Sequence, residues 1–310
     1  MHRQDWTWEP VGSLPGGTVT SVAISPNVNH DGTCFAATMA GLYRSEDSGV
    51  TWRREAGGYR GLSLTAVAVS PAFAEDGLVL VSGLDAGLFR VVGSKWTPGD
   101  FGGRHVRIVA LAISPAFAHD GTCFAATMAD GVFCSRDRGA RWEPCNFGLL
   151  DLDVIGLAIS PKFAKDGMVL AATATGLFRS PNGGLAWREM TLPSEGAPVM
   201  CTAFSPAFSQ DGTIFAGTDG AGILCSRDRG ATWQTLPGPI DAGCINGIAL
   251  SPGFAADRIV LLAADTALYM SRDGGESWTC DSEMADALCV ATGSAFPSGG
   301  PALVGLSHNG

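Results

Sequence analysis

Seven of the eight tryptophans in this chain recur at a nearly constant interval. They stand at positions 8, 52, 96, 142, 187, 233 and 278, which are 44 to 46 residues apart. A fixed period of this length is typical of solenoids and propellers, in which each repeat is one supersecondary unit. The repeat therefore constrains the fold more than any other feature of the sequence.

Five of these tryptophans end a recurring segment: SEDSGVTW (45–52), SRDRGARW (135–142), SPNGGLAW (180–187), SRDRGATW (226–233) and SRDGGESW (271–278). Asp or Asn accepts backbone N–H bonds in tight turns, and glycine supplies a left-handed position, so the segment predicts a hairpin turn. The pattern resembles the Asp-box of the BNR-repeat β-propellers, and the resemblance covers nearly the whole chain. That family includes sialidases, xyloglucan-degrading enzymes, sorting-receptor ectodomains and photosystem assembly factors, so the resemblance implies a fold and not a function.

Each repeat contains three further segments with strand character. An apolar run ends in Ser-Pro, a second and nearly all-apolar run follows an Asp-Gly pair, and a third run leads into the box. Continuous apolarity in the second run indicates burial on both faces, as between packed blades. The small side chains of the first run suit an innermost strand. Each repeat is therefore predicted to form a blade of four antiparallel strands.

These segments predict an all-β protein that folds as a single seven-bladed β-propeller over residues 1–310. The predicted blades cover residues 18–52, 63–96, 107–142, 153–187, 198–233, 244–278, and 286–310 together with 1–10. In the last blade, 288–296 matches the first strand and 301–307 matches the second. Trp6 to Pro10 are predicted to supply its outer strand and so close the ring, which removes free strand edges.

Composition and charge disfavour several classes of partner. The net charge is −10, from 20 basic and 30 acidic residues, which disfavours nucleic acid and anionic membranes. No apolar run approaches the ~20 residues that span a bilayer, and the N-terminus lacks the apolar core of a signal peptide. The nine cysteines include no CxxC pair and fit reduced thiols. We therefore predict a cytoplasmic monomer that binds neither nucleic acid nor membrane.

In propellers, the loops between blades and the turns between second and third strands share one face, opposite the boxes. We call this the mouth face, because it surrounds the opening of the central channel, and we expect it to carry the functional residues. The candidate binding residues on it break the repeat: Asp153, Asp286, Asp151, His105, Arg107, Tyr59, Arg60 and Asp241. Repulsion among carboxylates around a narrow channel favours a divalent cation such as Ca²⁺, or an amine-bearing ligand, over an anion. The structural alternative is that these aspartates only form turns on a solvated rim, because Asp is favoured in turns.

Two functions from different classes stay open. We favour a non-catalytic binding scaffold that recognises a protein partner or a small polar or cationic ligand at the mouth. The alternative is a glycoside hydrolase or lyase that uses Asp153, Asp286 and Asp151, which requires two carboxylates about 5–9.5 Å apart and one raised pKa. Sialidase activity is disfavoured, because Arg107-Ile108 is followed by Val109 where the family's motif has proline. The photosystem factors work after export, and no export signal is seen here.

Overall fold

The computed structural model describes residues 8–11, 14, 17–57, 61–194, 196–238 and 243–308. Within these ranges the chain forms 26 β-strands, six one-turn α-helices and one short 3₁₀ helix, so the all-β prediction is confirmed. No helix in these ranges is long and apolar enough to cross a membrane.

Six sheets have four strands each, in which strands consecutive along the chain pair antiparallel from the inner to the outer edge. Blade one contains β1 (Val19–Ile24), β2 (Cys34–Thr38), β3 (Gly41–Ser45) and β4 (Arg53–Arg54). Blade two contains β5 (Leu64–Val69), β6 (Leu78–Gly83), β7 (Gly87–Val92) and β8 (Lys95–Pro98). Blade three contains β9 (Ile108–Ile113), β10 (Cys123–Thr127), β11 (Gly131–Ser135) and β12 (Glu143–Pro144).

The remaining blades repeat this plan. Blade four contains β13 (Val154–Ile159), β14 (Val169–Thr173), β15 (Gly176–Ser180) and β16 (Arg188–Glu189). Blade five contains β17 (Val199–Phe204), β18 (Ile214–Thr218), β19 (Ile223–Ser226) and β20 (Gln234–Thr235). Blade six contains β21 (Ile245–Leu250), β22 (Val260–Ala264), β23 (Leu268–Ser271) and β24 (Thr279–Asp281). A 3₁₀ helix (Ser282–Met284) leads to a two-stranded sheet of β25 (Ala287–Thr292) and β26 (Ala302–Leu306).

One-turn helices join the first and second strands of the six blades: α1 (Val28–Asp31), α2 (Phe73–Asp76), α3 (Phe117–Asp120), α4 (Phe163–Asp166), α5 (Phe208–Asp211) and α6 (Phe254–Asp257). The repeated aspartate at the end of each helix holds the connection together. In blade five, Asp211 accepts the Ser205 hydroxyl at 2.6 Å and the Thr213 backbone N–H at 2.8 Å. These carboxylates therefore serve the turn that every blade shares.

The hydrophobic core lies between adjacent blades. The second strands of the six four-stranded blades are buried along their whole length, as the sequence predicts. Phe124 of β10 and Phe163 of α4 meet edge to face, with ring centroids 5.8 Å apart. Trp142 is only 3% exposed and belongs to a cluster that combines blades two and three. The box tryptophans thus stabilise the packing between neighbouring blades.

The innermost strands form a ring around the channel. Each packs beside the next in the order β1, β5, β9, β13, β17, β21 and β25, and β25 packs back against β1. Six of these strands belong to four-stranded blades, and β25 belongs to the two-stranded sheet. The two-stranded sheet therefore fills the space between blades six and one.

The predicted number of blades is wrong. The structure has six four-stranded blades, because the unit after Trp278 and β24 forms only β25 and β26 among the described residues. The sequence does predict those two strands, but the repeat period alone does not establish that their outer partners form. A blade is defined by long-range pairing, and pairing is not a local property of the sequence.

Among the described residues, the predicted outer strand of the last blade is also not formed. Trp8, Glu9 and Pro10 belong to no strand, and Trp6 and Thr7 lie outside the described residues. Trp8 instead packs its side chain against a cluster that contains Ile259, Leu261 and Phe296. Such side-chain anchoring needs no backbone pairing, and Pro10 has no N–H to offer to a strand ladder.

Candidate functional site

The mouth face begins where the inner strands start, and six of the seven start positions make the same backbone bond. The backbone carbonyl there accepts an N–H from the residue that directly follows the second strand of the same sheet. The carbonyl–donor pairs are Thr18–Met39, Arg107–Met128, Asp153–Ala174, Pro198–Asp219, Cys244–Asp265 and Asp286–Ser307. These positions therefore differ in their side chains and not in their backbone role.

Asp153 and Asp286 lie on opposite sides of this ring. Asp153 precedes β13 and Asp286 precedes β25, with β17 and β21 between them in one direction and β9, β5 and β1 in the other. Both residues are exposed. The structure therefore places the two predicted central carboxylates at the same level of the channel mouth but does not place them next to each other.

Asp151 is held by hydrogen bonds. Its carboxylate accepts the Thr175 hydroxyl at 2.8 Å, the Thr175 N–H at 3.0 Å and the Asp153 N–H at 3.0 Å. Partial burial raises the pKa of the Asp151 carboxyl, but these bonds outweigh it and hold the pKa below its usual value. Asp151 is therefore an ionised turn-forming group, and a low pKa does not suit a general acid.

Asp286 has a backbone conformation that is uncommon outside glycine. Its φ is +57°, a left-handed value that Asp tolerates better than most residues. Its N–H donates to the Asp265 carbonyl at 2.8 Å. Asn246, which the repeat pattern does not single out, donates to the Asp265 carboxylate at 2.9 Å and to the Ala287 carbonyl at 3.0 Å. These bonds fix Asp286 to blade six. The sequence feature that could have identified Asn246 is its amide side chain in an otherwise apolar strand.

Two predicted basic residues lie at blade three, His105 in a cleft and Arg107 on the ring of start positions. His105 and Arg104 line a cleft of about 260 Å³ together with Asp85, Asp100 and Phe101. Arg107 is exposed at the start of β9. This cleft is a mixed-charge pocket, distinct from the positions of Asp153 and Asp286 on the ring.

Three predicted site residues, Tyr59, Arg60 and Asp241, lie outside the described residues. Among the residues that are described, no group of three or more His, Cys, Asp or Glu side chains is placed to hold a metal ion. A cation at Asp153 and Asp286 thus stays a prediction.

The box carboxylates differ from Asp153 and Asp286 at the mouth, because a box turn such as that of blade five uses both carboxylate oxygens as acceptors. Asp228 accepts the Ser226 hydroxyl at 2.8 Å, the Thr232 hydroxyl at 2.6 Å and the Thr232 N–H at 2.8 Å. The Thr232 hydroxyl bond, with the others, lowers the pKa of Asp228 to about 2. Asn182 replaces aspartate in blade four and accepts two of the three equivalent bonds, from the Ser180 hydroxyl and the Ala186 N–H. Because an uncharged amide occupies the same position in blade four, the box carboxylates have a structural role.

One loop of the mouth side exposes large apolar side chains. It connects blade three to blade four and carries Phe147 and Leu150, each 80% exposed, and Leu152, which is 40% exposed. The repeat pattern marks Phe147 only as a loop residue and does not mark the two leucines. The sequence feature that could have identified this loop is the run of apolar residues in a connection that is otherwise polar.

Comparison with known proteins identifies the fold and no more. No protein-family model matches the sequence, and no curated protein matches it. Solved structures do resemble it. A GH74 xyloglucanase from Xanthomonas campestris superposes with a TM-score of 0.71 at 20% identity, covering 97% of this chain and 52% of that chain. This protein thus spans about half the length of the xyloglucanase.

A second similar structure matches over most of both chains. YCF48 from Cyanidioschyzon merolae superposes with a TM-score of 0.67 at 16% identity, covering 95% of each chain. A structure described as YCF48 bound to D1 peptide gives a TM-score of 0.68 at 16% identity, covering 96% of this chain and 93% of that chain. These likenesses confirm the predicted resemblance to Asp-box-type β-propellers. At such identities they establish the fold alone.

Proposed function

We propose that this Asp-box-type β-propeller is a non-catalytic scaffold that binds a protein partner on its mouth face. The observation that carries the proposal is the placement of the mouth carboxylates. Asp153 and Asp286 are exposed on opposite sides of the ring, and Asp151 is committed to a turn. Separated surface carboxylates can steer and orient a partner through electrostatic complementarity.

The same placement does not favour the glycosidase alternative suggested by the likeness to the xyloglucanase. A retaining or inverting glycosidase needs one carboxyl group with a raised pKa close to a second carboxylate. Among the residues that the structure describes, the carboxyl groups with a shifted pKa are Asp47, Asp137, Asp151, Asp228 and Asp273, and each shift is downward. Hydrogen bonds in turns cause these shifts, and such groups do not serve as acid catalysts at neutral pH.

The comparison with YCF48 adds support for a protein partner. That propeller spans nearly the same length as this chain and has been solved with a peptide bound. A single ring of this size therefore suffices for peptide binding in a protein of the same fold. A small polar or cationic ligand would use the same carboxylates and is an outcome of the test.

Photo-crosslinking from two faces tests the proposal. A photoreactive amino acid is placed at Asp85 or Asp219, which are exposed on the mouth side, and in matched variants at Val50 or Val92, which are exposed on the box side. We expect one discrete protein adduct from the mouth positions in cells, and none of the same mass from the box positions.

Combining the mouth crosslinker with Asp153→Asn and Asp286→Asn supplies the second arm. These changes should suppress the adduct while the melting temperature stays unchanged. Adducts that form equally from both faces, or that survive the double substitution, would contradict the proposal. Release of sugar from xyloglucan by the purified protein, abolished by the same substitutions, would favour the hydrolase.

A further inference from the structure

We propose that the partner docks on the exposed apolar side chains of the loop between blades three and four, and that it presents a segment of apolar residues interspersed with lysine or arginine. The proposal rests on the proposed function and names the chemistry of its partner. We define the apolar patch as Met128, Phe147, Leu150 and Leu152. Met128 is 36% exposed and lies on the adjacent turn between β10 and β11.

The apolar patch exceeds what packing between the blades requires. In the connection from blade two to blade three, Phe101 is 6% exposed and stacks on Trp142 with ring centroids 5.4 Å apart. In the connection from blade three to blade four, Leu149 fills the core beside Trp187. Phe147 is therefore free to point outward, and its exposure is not a consequence of missing core residues.

Hydrogen bonds hold the loop in place. Asn146 accepts the Val132 N–H at 2.8 Å and donates to the Asp130 carbonyl at 2.9 Å. The Phe147 carbonyl accepts the Trp187 N–H at 2.8 Å. Since the side chains stand on a fixed backbone, a partner that covers them loses little additional loop entropy on binding.

Glycine at position 148 makes this approach to blade four possible. Its φ is +80°, and a Cβ there would lie 2.4 Å from the Trp187 carbonyl oxygen. A side chain would therefore push the loop away from the blade. The local sequence thus builds a turn that is anchored to the neighbouring blade while its flanking apolar residues face solvent.

The loop and the turn that carries Met128 are joined. The Leu152 carbonyl accepts the Gly131 N–H at 2.9 Å, and Asn146 binds Asp130 of the same turn. The four apolar residues thus belong to one bonded unit of the surface. Isolated exposed apolar side chains are ordinary in soluble proteins, whereas several on one unit mark an interaction surface.

Charges around the apolar patch select the partner. Asp130, Asp151 and Asp153 flank it, and Asp130 and Asp153 are exposed. Arg107, whose carbonyl bonds the Met128 N–H, is the one basic residue that shares a backbone bond with the apolar patch among the described residues. The segments that carry the apolar patch, 128–131 and 146–153, contain these three aspartates and no lysine or arginine. This excess of carboxylates favours a partner with cationic side chains beside its apolar ones and disfavours an anionic membrane.

Selection of displayed peptides tests the inference for a partner that is still unidentified. Random peptides of about 12 residues, which span roughly 40 Å when extended, are displayed on phage and selected on the purified wild-type protein. The selection is depleted on the Phe147→Ser, Leu150→Ser double variant. We expect enriched peptides to combine apolar residues with lysine or arginine.

A synthetic copy of an enriched peptide then measures the effect of each surface by fluorescence anisotropy. The double serine variant should weaken its binding at least about tenfold, which corresponds to ~1.4 kcal/mol. The matched control is Val50→Ser with Val92→Ser, which removes apolar side chains that are 64% and 47% exposed on the box side of blades one and two. The control should bind the peptide like wild type, and all proteins should melt alike.

The outcomes separate this inference from the proposed function. Enriched peptides that are acidic, an empty selection after depletion, or equal binding to the double serine variant would overturn the apolar docking site. If Asp153→Asn with Asp286→Asn weakens peptide binding while the serine variant does not, the mouth binds proteins but the apolar patch is not the contact. If neither variant changes binding and the crosslinking also fails, both proposals fall.

Discussion

In the box turn of blade five, Asp228 accepts three hydrogen bonds from Ser226 and Thr232, whereas the Asp153 carboxylate at the mouth of blade four receives none from the described residues. Both are exposed aspartates on the same scaffold. The box aspartate answers a need that recurs with the repeat, since its oxygens replace backbone partners that a tight turn lacks. The mouth aspartate occurs once and meets no such need. An aspartate that recurs in every repeat and has its hydrogen bonds satisfied is thus structural. An aspartate that occurs once and has free carboxylate oxygens is a candidate site residue.

The largest expected difference between the two faces concerns their aromatic residues. Trp142→Ala removes a side chain that is 3% exposed and should lower the free energy of unfolding by ~3–5 kcal/mol, because it leaves a cavity between blades two and three. Phe147→Ala is the control on the mouth side, where the ring is 80% exposed, and should change it by less than about 0.5 kcal/mol. Denaturant unfolding measures both, and similar losses would break the comparison.

A smaller effect is expected for the repeated aspartate of the helical connections. Asp211→Ala deprives the buried Ser205 hydroxyl and the Thr213 N–H of their acceptor, which should cost about 1–3 kcal/mol of stability. Asp153→Ala should stay within about 0.5 kcal/mol of wild type. Both variants are compared by chemical denaturation with a shared slope. A mouth substitution as costly as the connection substitution would mean that the mouth carboxylate is structural after all.

The smallest effect is the contribution of one box carboxylate to acid stability. Partial burial opposes ionisation of Asp273, but hydrogen bonds led by the Ser277 hydroxyl lower its pKa from 3.8 to about 2. Because the folded pKa is depressed, this stabilisation is complete above pH 3.8 and is lost as the pH falls toward about 2. Asp273→Asn should therefore show a shallower fall of melting temperature across that window.

The matched control for the acid titration is Asp286→Asn, which should keep the full wild-type fall. Asn182 shows that an amide fits the box turn, since it already accepts the Ser180 hydroxyl at 2.9 Å in blade four. The asparagine variant at position 273 should thus be well folded at neutral pH. An unchanged pH dependence in that variant would show that the box bonds do not couple to ionisation.

Much of the fold follows from local sequence. The nearly all-apolar second strands, the Ser-Pro ends of the first strands and the box turns are all predicted and are formed. The connection with Arg258 in place of glycine also keeps its left-handed geometry, with φ at +58°. Periodicity and turn chemistry act over a few residues, so a sequence pattern captures them.

The candidate site was predictable only in part. The alignment of start positions placed Asp153 and Asp286 at the same level, and the backbone bonds to Ala174 and Ser307 show that equivalence. Alignment also predicts the two units between them, 198–233 and 244–278, which hold β17 and β21. It could not reveal that Thr175 binds the Asp151 carboxylate into a turn. It also overlooked Leu150 and Leu152, because a short apolar run in a loop is indistinguishable from core residues until burial is known.

The sequence by itself determined the repeating unit: its strands, its turns and the residues that each unit shares with the next. Only the tertiary structure decided how many complete blades form, how the seam between β25 and β1 is filled, and which side chains face solvent. The physical reason is the range of the interactions. Turns and strand patterns depend on neighbours in sequence, whereas ring closure joins residues from opposite ends of the chain through long-range packing. For the same reason, the sequence does not show that Phe147 is exposed, because this depends on Leu149 filling the core between the blades.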